Sequence, residues 1–196
     1  WQKWAINNDI HPDVIGYLSF AKGDLFDFDA KSSSQSFATP RSWTFVSEML
    51  GINSFDSASA FEQKVEIAGA IGEGMAIKFV EHRKIASKLP NPDQILAGEV
   101  KTLDTKLSKE ISAKYSLVVG LAYELNDIFK DNGIDDKFRK GLNNTVRFAY
   151  DNFEPEMVVF LFKTIMKDYQ IRFNVRTDLD KDLHKTFSDR YTKYIA

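Results

Sequence analysis

The residues most able to bind a ligand lie at positions 37–46, where an arginine falls in the first turn of a predicted helix. Thr39 suits the N-cap position, because its hydroxyl can accept a hydrogen bond from a free backbone N–H. Pro40 suits the first helical position. Arg41 then lies beside unpaired N–H groups at the positive end of the helix, where an anion is favoured. An ordinary capped helix with a solvated arginine has the same pattern.

The helix that would present Arg41 follows from the spacing of its apolar residues. Trp43, Val46, Met49 and Leu50 recur every three or four positions and give one apolar face. Gly51 follows directly, at the position where a glycine often ends a helix. The sequence therefore predicts a short helix packed through this face.

Helical spacing also dominates the rest of the chain. It predicts helical structure over residues 58–89, with a break near 69–74, and over residues 111–132, followed by a helix lined by Phe138 and Leu142. Residues 157–162 form an apolar run that could be a buried strand or a buried helix, and the length of the segment favours a helix. A last helix is predicted to be capped by Asp178, with Tyr194 facing inward. No period-2 alternation is present, so we predict a mostly α helical bundle with little or no β-structure.

Three stretches lack a helical pattern. Residues 22–36 read as a loop with Phe26 and Phe28 packed inward, and residues 53–57 as a polar linker. Residues 93–107 have no clear period and give the best candidate boundary. We therefore predict regions 1–96 and 97–196, which could also pack as one domain.

Several kinds of catalytic and metal chemistry are not indicated. The chain has no cysteine, and its three histidines lie far apart without a metal-ligand motif. His11, before Pro12, is interpreted as a capping or packing residue, and His82 as lying on a solvated helix face. Asp24 and the other loop carboxylates are interpreted as solvated. No catalytic residue and no metal ligand is predicted within this chain.

A glycine-rich segment at residues 69–76 has part of the spacing of a phosphate-binding loop. Met75 and Ala76 occupy the positions of the lysine and the hydroxyl residue that such a loop requires, and no strand precedes it. We therefore reject a phosphate loop and expect Gly69 and Gly74 to serve tight helix packing. A lysine-rich stretch that ends at Lys114 is mixed with acidic residues and is interpreted as a solvated face.

The composition of the chain limits the classes of partner and the cellular locations to be expected. The 196 residues carry a net charge of -2, and the sequence pI is near 6.0, so no bias toward nucleic acid is evident. No apolar run is long enough for a transmembrane helix. The absence of cysteine is compatible with a reducing compartment, and a cytoplasmic location in a bacterial or phage-infected cell is expected. The chain starts at Trp1 without a methionine or signal peptide, and we interpret it as a piece of a longer protein.

Four blocks of residues stand in an order that resembles a known family. They cover residues 10–18 (IHPDVIGYL), 38–47 (ATPRSW, then VS), 69–74 (GAIGEG) and 89–96 (LPNPDQIL). In this order and spacing they resemble the C-terminal part of a MoxR-like AAA+ ATPase of the type found in phages and bacteria. Beyond about residue 109 the resemblance is looser and rests on the helical pattern and on residues 147–157.

The resemblance implies a helical lid beside a nucleotide-binding α/β core, with a C-terminal helical extension. Arg41 would be the sensor 2 arginine that reaches the γ-phosphate of ATP, with Thr39 as the helix N-cap near that phosphate. ATP with Mg²⁺ would be bound by the full-length protein and not by this chain alone. Family members are expected to act as hexameric, chaperone-like remodelling ATPases, often beside von Willebrand factor A-type partners.

The chain departs from the full family pattern. The Walker motifs, sensor 1 and the arginine finger are absent from these residues. Either they lie upstream of Trp1 or the protein has none, and the chain alone is expected not to hydrolyse ATP. The alternative interpretation is a non-catalytic, all-α interaction or scaffold module.

Overall fold

The protein is mostly α-helical over residues 1–29 and 35–195, which are the residues that this computed structural model describes. The helices are α1 (Gln2–Asn7), α2 (Pro12–Phe20), α3 (Pro40–Leu50), α4 (Asn53–Ser57), α5 (Ala60–Ile71), α6 (Glu73–Ala86), α7 (Pro92–Ala97), α8 (Ile111–Asn132), α9 (Asp136–Asn152), α10 (Pro155–Lys163), α11 (Val175–Asp178), α12 (Lys181–Arg190) and α13 (Thr192–Ile195). Short 3₁₀ turns lie at Lys22–Leu25 and Leu107–Lys109, and a π-helical turn at Thr164–Asp168. These described residues contain no β-strand, only an isolated bridge between Asp27 and Ala38, which confirms the predicted fold class. No helix in the same ranges has the length and apolar character needed to cross a membrane.

The chain divides into two compact units, Trp1–Ser87 and Lys88–Ala196. The division precedes α7, whereas the sequence placed the boundary after residue 96. Helix α7 belongs to the second unit because it packs on α8 and α9 and buries Ile95 and Leu96 in their core. A polar, aperiodic stretch therefore lies inside the second unit, after its first helix.

The first unit is built around α3, which contacts α2, α4 and α5. Trp43 and Val46 on α3 are fully buried, and Leu50 is nearly so, as the apolar spacing predicted. Gly51 differs from its predicted role, because its φ of -77° is right-handed and needs no glycine. Helix α3 nevertheless ends there, and the main-chain N–H of Gly51 closes its last turn.

Helices α5 and α6 contact each other and are joined by a single residue, Gly72, whose φ of 87° is left-handed. That conformation favours glycine because a Cβ would be strained there. The tight packing expected at Gly69 and Gly74 is wrong, since a Cβ at either position would meet nothing within 4 Å. The break between the two helices therefore depends on Gly72, and the flanking glycines stand in open space.

Several apolar residues of the first unit lie where the sequence did not place them. Phe26 and Phe28, expected inward, are 61% and 53% exposed. The predicted polar linker at residues 53–57 is instead helix α4, because Phe55 is buried and anchors it. On α5, Phe61 is 69% exposed, whereas Ile67 and Ile71 are buried in the core.

The second unit is a helical bundle with α8 against α7, α9 and α10. The predicted core of α9 is confirmed, with Phe138 and Leu142 fully buried. The apolar run at residues 157–162 is helical, as its length favoured, and forms most of α10. Gly133 has a φ of 70° and ends α8 at the predicted position.

The C-terminal helices differ from the prediction in their start and orientation. Asp178 ends α11 and is buried, while the residue preceding α12 is Asp180. Asp178 instead accepts hydrogen bonds from Arg139 on α9 and from the main chain of Asn174. Tyr194, expected inward, is 52% exposed. A buried carboxylate with two partners thus takes the place of the predicted cap.

Candidate functional site

The first turn of α3 is held by a capping box. The Thr39 hydroxyl accepts from the backbone N–H of Ser42 at 3.0 Å, and the Ser42 hydroxyl accepts from the backbone N–H of Thr39 at 2.8 Å. Pro40 occupies the first helical position. Thr39 is therefore the N-cap that the sequence predicted, and its hydroxyl is committed to the helix end.

Arg41 lies in this first turn with its side chain exposed. Within residues 1–29 and 35–195, the guanidinium makes no hydrogen bond or ion pair with another side chain. Its charge stands beside the N-terminus of an eleven-residue helix, where free N–H groups add partial positive charge. This end of α3 can bind an oxyanion presented from outside the unit, with two donors of the planar guanidinium facing one anion.

Burial of Trp43 sets the direction in which Arg41 points. The Trp43 ring packs at 5.5 Å from the Tyr17 ring and 5.3 Å from the Phe79 ring. Its indole Nε1 donates a 2.9 Å hydrogen bond to the main-chain carbonyl of Asp24. Because residues two positions apart on a helix point about 200° away from each other, burying Trp43 turns Arg41 toward solvent.

A second hydrogen bond connects α3 to the segment before α2. The backbone N–H of His11 donates to the Ser47 hydroxyl at 2.8 Å, and the Nδ1 atom of His11 accepts from the backbone N–H of Asp13. His11 thus caps α2, as predicted. Burial lowers the pKa of His11, so its ring is suited to accept that hydrogen bond in the neutral form.

His82 was predicted on a solvated face, and this is wrong. It is 5% exposed, with its ring 5.2 Å from the Tyr17 ring. Burial lowers its pKa, and the charge of Asp13 opposes that shift only in part. The charged neighbours of His82 in the sequence led to the prediction of a solvated face. Helix α6 instead buries His82 on the same face as Met75, Ala76 and Phe79.

Asp24 was predicted to be solvated, but its side chain lies in a junction between two helices, where it contacts Tyr17 on α2 and Lys78 on α6. Its carboxylate accepts a hydrogen bond from the Tyr17 hydroxyl and pairs with the Lys78 ammonium at 3.4 Å. The side chain of Asp24 is 22% exposed. Sequence reasoning missed this residue because its partners lie on two separate helices, one of which carries Lys78, 54 positions further along the chain.

A phosphate-binding loop is absent from residues 69–76, as expected, because the helix α5 and not a strand leads into Gly72. Among the described residues, no group of three or more His, Asp or Glu side chains could hold a metal ion.

A cavity of about 310 Å³ lies at the start of α6, lined by acidic Asp27, Asp29 and Glu73 together with Lys78. Its mixed charge favours no particular ligand class.

Lys114 in the second unit was also misplaced by sequence reasoning. It was predicted on a solvated face, yet its side chain is 2% exposed. Its ammonium lies 2.6 and 2.7 Å from the two carboxylate oxygens of Glu154. This pair is a structural contact between α8 and the start of α10, and the remaining lysines of the predicted stretch are exposed.

Comparison of the chain with protein-family models, with curated proteins and with solved structures finds no match in any of the three.

Proposed function

We propose that the first unit is the helical lid of a MoxR-like AAA+ ATPase and that Arg41 is its sensor 2 arginine. The observation that carries the proposal is the exposed Arg41 guanidinium on a capped helix, without a partner among the described residues. A rigid helix end that offers an unpaired cation to solvent is suited to bind an anion that another part of the protein brings. The order of the four sequence blocks supports a nucleotide phosphate as that anion.

In this role Arg41 supplies charge and orientation. Phosphoryl transfer is accelerated mainly by positioning and by stabilising the charge on the transferred group. ATP with Mg²⁺ would supply that group, bound by an α/β core outside these residues. Arg41 would pair with the γ-phosphate and lose that partner after hydrolysis. The lid would then favour different positions in the ATP and ADP states, which could drive remodelling of a partner protein.

Thr39 has a supporting part in the proposal. Both capping interactions of its hydroxyl are made to Ser42, so Thr39 holds the helix end near the phosphate and leaves the binding to Arg41. The sequence contains no Walker motif, and we expect the chain to be inactive alone. A cytoplasmic, hexameric ATPase with a von Willebrand factor A-type partner is the class that the resemblance supports.

The proposal is tested first on the coding sequence upstream of Trp1. A G-x-x-x-x-G-K-[ST] motif after a predicted strand is expected there, and its absence would remove most of the support. The second test is ATP turnover of the natural full-length protein carrying Arg41→Ala. We expect kcat to fall by about tenfold or more, because one preorganised charge is lost from the transition state.

Arg172 offers a matched control for that measurement. It is also exposed and has no ion pair among the described residues, but it lies in the second unit. Arg172→Ala should leave turnover unchanged, and Arg41→Lys should restore only part of it, since a lysine cannot make the bidentate contact. Equal turnover in wild type and Arg41→Ala would exclude Arg41 from the mechanism.

A second candidate function is a non-catalytic interaction module, and one observation favours it. Most of the exposed large hydrophobic side chains within residues 1–29 and 35–195 lie in the first unit, among them Trp4, Phe26, Phe28, Phe45 and Phe61. Surfaces of this kind often bind other proteins. A full-length protein that neither binds nor hydrolyses ATP would favour this second function, and ATP turnover that depends on Arg41 would exclude it.

A further inference from the structure

Asp24 contacts three helices of the first unit. It lies in the 3₁₀ turn Lys22–Leu25, directly after α2. Its carboxylate accepts from the hydroxyl of Tyr17 on α2 and pairs with Lys78 on α6, while its main-chain carbonyl accepts from the indole of Trp43 on α3. One residue therefore connects α2, α3 and α6.

The contact with Trp43 reaches the helix that carries Arg41. Trp43 follows Arg41 by two positions, in the first turn and a half of α3, and is fully buried. A buried indole N–H costs free energy if it is left without an acceptor, so this hydrogen bond favours one rotation and one axial position of α3. The rotation of α3 in turn decides where the Arg41 guanidinium lies.

The carboxylate contacts hold the acceptor in place. Burial, together with the hydrogen bond to Asp24, raises the pKa of the Tyr17 hydroxyl, so the hydroxyl stays protonated as a donor. The Lys78 side chain is 57% exposed, so its ion pair with Asp24 contributes little. The Tyr17 hydrogen bond is therefore the main restraint on the Asp24 side chain, and through the turn it restrains the carbonyl that Trp43 contacts.

We propose that Asp24 is a positioning residue for Arg41, which acts by fixing the rotation of α3 through Trp43. This inference rests on the proposed function, since it concerns the placement of Arg41 toward a nucleotide phosphate. In this inference Asp24 acts indirectly, because it contacts neither the nucleotide nor Arg41. Loss of the Asp24 carboxylate should leave Arg41 present but less well placed.

The test is a double-mutant cycle on ATP turnover of the full-length protein, with Asp24→Ala, Arg41→Ala and the double variant. Asp24→Ala should lower kcat about three- to tenfold, because Arg41 is then less well placed to stabilise charge on the transferred phosphoryl group. In the Arg41→Ala background the same change should lower kcat by less than about twofold. A purely structural role of Asp24 would give the same factor in both backgrounds, and that result would overturn the inference.

Three further variants keep the test decisive. Asp24→Asn retains an acceptor for Tyr17 and should recover most of the turnover, whereas Tyr17→Phe removes the donor and should behave like Asp24→Ala. Asp27→Ala is the matched control, because the Asp27 side chain is exposed and only its main chain bonds to Ala38. If thermal unfolding shows that the Asp24→Ala variant is not folded, Tyr17→Phe replaces it in the double-mutant cycle.

The possible failures are distinguishable. Unchanged turnover in Arg41→Ala would overturn the proposed function and this inference together. A clear loss in Arg41→Ala with wild-type turnover in Asp24→Ala and Tyr17→Phe would overturn this inference alone.

Discussion

The ammonium of Lys114 lies 2.6 Å from a carboxylate oxygen of Glu154, although the Lys114 side chain is 2% exposed and that of Glu154 is 57% exposed. The pair joins the first turn of α8 to the residue that precedes α10. A buried ammonium is costly in free energy unless it is paired, so Lys114 depends on Glu154 more than Glu154 depends on Lys114. Glu154 can be hydrated without its partner, whereas Lys114 cannot.

This asymmetry predicts different costs for the two single variants. Glu154→Gln leaves the buried ammonium without a counter-charge and should lower the free energy of unfolding by about 2 kcal/mol. Lys114→Met keeps the buried chain length without the charge and should cost less than about 1 kcal/mol. Urea denaturation at pH 7 measures both. A larger loss in Lys114→Met than in Glu154→Gln would contradict the argument.

His82 predicts a loss of stability in mild acid. Burial lowers its pKa from the usual 6.5, so the unfolded chain takes up a proton at a higher pH than the folded one. Its contribution is therefore fully present above pH 6.5 and is lost as the pH falls through the folded pKa. His82→Gln, which stays neutral, should flatten the fall in unfolding free energy between pH 7.5 and 5. An unchanged slope in that variant would show that His82 does not contribute.

Glu124 predicts a pH effect of the opposite sign. Burial, with smaller contributions from Asp93 and Asp127, raises its pKa from 4.5 to about 7. The folded state then holds a proton that the unfolded state has released, so stability falls as the pH rises from 4.5 through 7. Glu124→Gln should stabilise the protein at pH 8 and have less effect at pH 5. The exposed Glu99→Gln is the control and should show no such difference in thermal unfolding.

The glycines between α5 and α6 predict effects of opposite sign for one substitution. Gly69 lies within α5 and has open space around it, so Gly69→Ala should stabilise by about 0.5 to 1 kcal/mol. Gly72 has a φ of 87°, so Gly72→Ala should destabilise by about 1 kcal/mol or more. Thermal unfolding of the two variants gives the comparison. A stabilising Gly72→Ala would mean that the junction tolerates a right-handed conformation.

The local features of the candidate site could be predicted from the sequence. Capping, a proline at the first helical position and an arginine in the first turn depend on neighbours within four residues, and the structure has them all around Arg41. The burial of Trp43 followed from helical spacing. The Asp24 junction could not be predicted, because its partners Tyr17 and Lys78 lie on separate helices and loop carboxylates are usually solvated.

The sequence by itself determined the longer helices and several of their ends, since apolar period, proline position and capping residues act over one or two turns. Only the tertiary structure decided which polar groups are buried and which aromatic rings are exposed. Lys114 pairs with Glu154, which lies 40 positions further along the chain, and Phe28 is exposed although it was expected to pack inward. The physical reason is that burial of a charge depends on a partner brought by the fold, and burial of a ring depends on a second surface to cover it.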